Sequence, residues 1–138
     1  MKRDKMLIKQ IKEILQCRSL TDETLLDREV EYCFGADLMS DVLRYARTGS
    51  LLLTGITNNQ VLQVAEIMDL KGVVFVRGKE PDKEVITQAN QRKLPLLATE
   101  NLMFDSCGIL YSKGLRGGKT RLEDKNGSTN SIQPVVSN

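Results

Sequence analysis

Ser50-Leu51-Leu52-Leu53-Thr54-Gly55, Gly72-Val73-Val74-Phe75-Val76-Arg77 and Pro95-Leu96-Leu97-Ala98-Thr99 decide the fold of this 138-residue chain. Each is a short run that is apolar at successive positions and bounded by Gly, Pro or polar residues. Side chains alternate across a strand, so such a run is buried on both faces. Helical patterns separate the runs. Residues 60–70 turn Val61, Val64, Ala65 and Met68 to one side. Residues 81–92 begin with Pro81 at the first position, where its missing N–H costs nothing. A last helix over 101–113 places Leu102, Phe104 or Cys107, and Leu110 inward, with Gly114 just past its end. Doubly buried strands alternating with helices mean an α/β fold: a parallel-sheet βαβαβ core with helices on both faces and right-handed crossovers.

The flanks extend this core. Residues 4–16 carry Leu7, Ile8, Ile11, Ile14 and Leu15 at helical spacing. Residues 17–20 and 29–34 are short strand candidates; in the second, Val30, Tyr32 and Phe34 alternate with polar positions, and 21–27 forms a polar turn. Residues 37–47 read as a helix capped by Asp37, with Gly49 beyond its end. The ordered domain therefore spans 1–115. Residues 116–138, rich in Gly, Asn, Ser and charge, read as a disordered tail.

Composition excludes several chemistries. Histidine is absent, which removes imidazole-assisted nucleophiles and histidine zinc sites. The three cysteines, Cys17, Cys33 and Cys107, form no Cys-x-x-Cys pair and read as reduced thiols. No apolar run approaches the ~18–20 residues of a membrane-spanning helix. The basic, amphipathic N-terminus lacks the apolar core of a signal peptide, so a cytoplasmic location is expected. Residues 1–18 carry net charge +4, 116–138 carry +2, and the body between them −4. An acidic body argues against a DNA-binding surface.

Gly114-Leu115-Arg116-Gly117-Gly118-Lys119-Thr120 imitates a phosphate loop but fails on spacing. The motif needs its first glycine at position 113, which is Lys113. The loops after the three strands are more informative, because open α/β sheets bind ligands beyond the carboxyl ends of their strands. They offer Thr54, Gly55, Thr57, Asn58, Arg77, Lys79 and Thr99. Hydroxyls, amides and two cations beside helix starts make an anion site, in which backbone N–H groups and cations hold the charge while Thr and Asn orient it. The same residue types also simply cap helices and form turns. No general base or activated nucleophile accompanies them, so binding rather than catalysis is expected, with no cofactor and no metal.

Phe34-Gly35-Ala36-Asp37-Leu38-Met39-Ser40-Asp41-Val42-Leu43, Leu51-Leu52-Leu53-Thr54-Gly55-Ile56-Thr57-Asn58 and Gly72-Val73-Val74-Phe75-Val76-Arg77-Gly78-Lys79-Glu80-Pro81 together resemble the DRTGG domain. Pro95 to Thr99, with Phe104, Cys107-Gly108 and Leu110-Tyr111, extends the resemblance over about residues 5–115. The five-residue string that names the family is absent, and Asp27-Arg28-Glu29-Val30 is its nearest local echo. The resemblance implies a fold similar to the N-terminal domain of HPr kinase/phosphorylase. It also implies a regulatory or assembly-forming role, as in domains that accompany nucleotide-sensing CBS domains in regulated pyrophosphatases, and a homodimer.

Three functions are weighed. The first is a non-enzymatic cytoplasmic regulatory domain that senses a small anionic or nucleotide-like ligand at its strand-end loops. The second is a dimerisation or adaptor module with no small ligand, marked by a large exposed apolar patch. The third is a phosphoryl-transfer enzyme, which would need paired carboxylates for a metal at the strand ends; none are there.

Overall fold

The computed structural model describes residues 5–119. In chain order its elements are β1 (Met6–Leu7), α1 (Ile8–Ile14), β2 (Arg18–Ser19), a 3-10 turn (Glu23–Asp27), β3 (Glu29–Val30), β4 (Cys33–Gly35) and α2 (Met39–Tyr45). Then follow β5 (Leu51–Thr54), α3 (Gln60–Ile67), β6 (Gly72–Phe75), α4 (Lys83–Gln91), β7 (Leu96–Ala98) and α5 (Met103–Ser112). The main sheet has the order β2-β7-β6-β5-β4. Strands β4 to β7 run parallel, and β2 closes one edge antiparallel to β7. β1 and β3 form a separate antiparallel ribbon.

The register explains the doubly buried runs. Leu52, Val73 and Leu96 are neighbours across three strands, as are Leu53, Val74 and Leu97 one residue later. The first row, with Phe75, packs under α2, α3 and α4 through Met39, Val42, Val61, Leu62, Val85 and Ala89. The second row, with Leu51 and Val76, packs under α1 and α5 through Ile8, Ile11, Leu15 and Leu110. The expected βαβαβ core with helices on both faces is therefore present, lengthened by β4 on one edge and β2 on the other.

Local expectations are corrected in several places. The N-terminal helix is shorter than 4–16, because Met6 and Leu7 pair with β3 instead. The single strand read over 29–34 is two strands in different sheets. Asp37 does not cap α2, whose N-cap is Leu38 with no side-chain bond. Pro81 precedes α4 rather than starting it, and Asp82 caps the helix by accepting from the Val85 N–H at 3.1 Å. On α5, Leu102 and Phe104 point outward; Leu110 and Ser106 are the buried residues. Residues 116–119 run beside β4: the Cys33 N–H donates to the Arg116 carbonyl at 2.8 Å, and the Lys119 N–H to the Tyr45 carbonyl at 2.7 Å. The rest of the tail lies outside the described residues.

Candidate functional site

Four loops leave the carboxyl ends of β4 to β7. Asp37, on the first, ties it to the second. Its Oδ1 accepts from the Gly55 N–H at 2.7 Å and from Thr54 Oγ1 at 3.1 Å. The absent side chain at Gly55 makes room for the Arg77 guanidinium, which a Cβ there would displace. Arg77 thus lies flat over the Gly55 backbone, with Nη2 3.9 Å from Asp37 Oδ2 and its side chain 44% exposed.

The backbone of Arg77 ties the other two loops together. Arg77 and Gly78 both adopt left-handed conformations, with φ of 62° and 67°. For a non-glycine residue that conformation costs about 1–2 kcal/mol. The reversal aims two N–H groups at β7's loop: Arg77 N–H donates to the Asn101 carbonyl and Gly78 N–H to the Thr99 carbonyl, each at 2.9 Å. This is the point where a crevice is expected, since α4 and α5 leave adjacent strands for opposite faces. The two hydrogen bonds close it.

The structure therefore divides the residues singled out from the sequence. Thr54, Gly55 and Arg77 come together, with Asp37 as the carboxylate that sequence reasoning had placed at a helix cap. Thr57 is half-buried on the same loop, and Asn58 is exposed and accepts from the Gln60 N–H at 2.9 Å. Lys79 is exposed beyond the Arg77-Gly78 reversal. Thr99 is buried and faces α1: its Oγ1 donates to the Leu15 carbonyl at 2.7 Å and accepts from the Asn101 N–H at 3.2 Å. The expectation that amides hold the anion is corrected for most of them. The N–H groups of Gly55, Ile56, Gln60, Arg77, Gly78 and Lys79 already have protein acceptors. The cationic side chains of Arg77 and Lys79 are exposed, and the Glu100 carboxylate lies beside Gly78. Thr99→Val should lower unfolding free energy by about 1–3 kcal/mol, because it strips a buried carbonyl and amide of a partner; urea denaturation measures it.

A cavity of about 600 Å³ near the amino end of β6, lined by Arg28, Leu62, Lys71, Arg92, Lys93 and Leu94 among others, has no signal in the sequence. Its residues come from separate elements, so no local spacing announces it. Arg28 donates to the Lys71 and Lys93 carbonyls, and Arg92 to the Leu62 carbonyl and Glu66, which engages two of its cations. The thiols are not activated. Burial pushes Cys17 up to about 12; Cys33 also rises to about 12, from burial first and then the neighbouring Cys107. Burial raises Cys107 as well. At neutral pH none supplies a thiolate nucleophile.

Residues 10–110 match the family model of the DRTGG domain. A similar solved structure is that of the CBS and DRTGG domains of the regulatory region of Clostridium perfringens pyrophosphatase, complexed with its activator diadenosine tetraphosphate. The TM-score is 0.60 at 12% identity, a likeness of fold, and the match covers 75% of this chain and 45% of that one. The chain thus spans less than half the length of that regulatory region. No curated protein sequence matches the chain.

Proposed function

The chain belongs to the DRTGG domain family, and from that premise we propose that it is a non-catalytic regulatory domain sensing a small anionic or nucleotide ligand at the carboxyl-end loops of its sheet. The observation that carries this reading is Arg77, a partly exposed guanidinium laid over Gly55 and linked to every loop at that end. Its side chain meets Asp37, which holds the first two loops; its backbone holds the last two. An anion on the guanidinium competes with Asp37 and so acts on the ties between loops. Thr54, Thr57, Asn58 and Lys79 complete the proposed site, and Thr99 supports it from below. The nucleotide activator in the pyrophosphatase regulatory region makes nucleotides the first class to test. The chain works in the cytoplasm, where its free thiols Cys17, Cys33 and Cys107 stay reduced. No helix among the described residues is long and apolar enough to cross a membrane.

A second reading, a homodimerisation or adaptor module, draws on α5, where Phe104 is 86% and Tyr111 62% exposed. One experiment separates the two: a thermal-shift screen of the full chain with nucleotides, acyl phosphates and simple phosphate esters. A ligand at about 100 times its Kd stabilises by about 2.7 kcal/mol, a shift of several degrees. Arg77→Ala should then weaken that ligand by about 1.5–3 kcal/mol, as expected for a charged hydrogen bond. Gly55→Ala, which pushes the guanidinium aside at little cost in stability, should weaken it too. An unchanged affinity in both variants places the site elsewhere, and silence across the panel favours the adaptor.

A further inference from the structure

Two sulfur atoms meet between β4 and α5, and a third lines the same cavity as one of them. Met103 and Cys107 are one turn apart on α5, and Cys107 Sγ lies 3.8 Å from Met103 Sδ. Cys33 and Gly35 alternate on β4, so both present the same side of the strand to that helix. The missing side chain of Gly35 makes the room. A Cβ there would stand 2.6 Å from Cys107 Sγ and 3.0 Å from Met103 Sδ. Cys33 and Cys107 both open on a cavity of about 270 Å³, shared with Tyr111 and Arg116, which gives a path from solvent.

We propose that Cys33, Cys107 and Met103 form a three-sulfur site for one soft monovalent cation of the copper(I) class. Thiolate and thioether donors select such ions over magnesium, calcium or manganese, which need oxygen ligands. Zinc is the poorer fit. Among the described residues no three His, Cys, Asp or Glu side chains converge, and the chain has no histidine to complete a tetrahedral set. The separation of Cys107 Sγ and Met103 Sδ suits a shared ion: two metal–sulfur bonds of about 2.3 Å span 3.8 Å at an angle of about 110°. Binding replaces two S–H bonds by two metal–thiolate bonds and releases two protons to solvent, while the Met103 thioether donates a lone pair as the third bond, with no change in oxidation state. The resulting site carries one negative charge, and Arg116, stacked 4.4 Å over the Tyr111 ring at the same cavity, supplies the counter-charge.

The test is an anaerobic titration of the reduced full chain with copper(I) held by a chromophoric competitor chelator. One ion per chain is expected. X-ray absorption at the copper edge should show a shell of sulfur alone. Cys33→Ser and Cys107→Ser should each lower the affinity about a hundredfold or more, because a hydroxyl is a hard donor that a soft ion accepts poorly. Met103→Leu should lower it less, and Cys17→Ser should leave it unchanged. Loss of binding in Cys17→Ser, full affinity retained by Cys33→Ser, or an oxygen- or nitrogen-dominated shell in the unmodified chain overturns the proposal. The absorption measurement needs no variant, so it decides the matter even where a serine substitution prevents folding.

Discussion

Phe75→Ala should lower the unfolding free energy by about 3–5 kcal/mol, the range for truncating a fully buried aromatic side chain. Phe75 is completely buried at the end of β6, under α3 and α4. Its strand is buried on both faces and fixed by β5 on one side and β7 on the other, so the sheet has little room to close the cavity. The change leaves no unpaired polar group, because Phe75 makes its sheet bonds through the backbone. Urea denaturation should show a lower midpoint with an unchanged slope. A loss below about 1.5 kcal/mol would mean that the layer over β6 collapses around the deletion, contrary to the close packing described.

The second large effect lies on the opposite face and is a contrast within one helix. Leu110→Ala should cost about 2–5 kcal/mol, whereas Phe104→Ala should change stability by no more than about 0.5 kcal/mol. Leu110 is fully buried against Leu51, Leu53 and Leu97, while Phe104 stands almost entirely in solvent. Equal losses in the two variants would show that α5 presents a different face to the sheet. If Phe104→Ala instead lowers the oligomeric state with stability intact, the exposed face of α5 is an association surface, as the adaptor reading holds.

That contrast shows where sequence reasoning stopped. The strands at 50–55, 72–77 and 95–99 were legible because an apolar run of strand length admits few other arrangements. α3 was legible because Val61, Val64, Ala65 and Met68 repeat at helical spacing on one side. α5 was ambiguous because it is apolar on several sides: Leu102, Phe104, Cys107, Ile109, Leu110 and Tyr111 offer more than one inward face. Periodicity cannot choose among them. The packing of Leu110 against the second row of strand residues does.

The candidate site divides in the same way. Thr54, Gly55 and Arg77 were identifiable, since loops at the carboxyl ends of parallel strands follow directly from the βα alternation. Asp37 was visible as a residue but not in its role, because a carboxylate before a helix usually serves that helix's own N–H groups. Here it reaches 18 residues along the chain to the Gly55 amide. Thr99 shows the converse. Its position beside the site was legible, but its hydroxyl is held by the Leu15 carbonyl, 84 residues away.

By itself the sequence determined which segments are buried strands, that helices connect them in parallel, and that histidine chemistry is excluded. These follow from local composition and period, which act over a few residues. Tertiary structure alone decided which strands border the sheet, which face α5 buries, that Asp37 and Arg77 meet over Gly55, and that Cys107 meets Met103 beside Gly35 while lining one cavity with Cys33. Each of these depends on segments far apart in the chain, and their meeting is fixed by strand order and register rather than by spacing along the sequence.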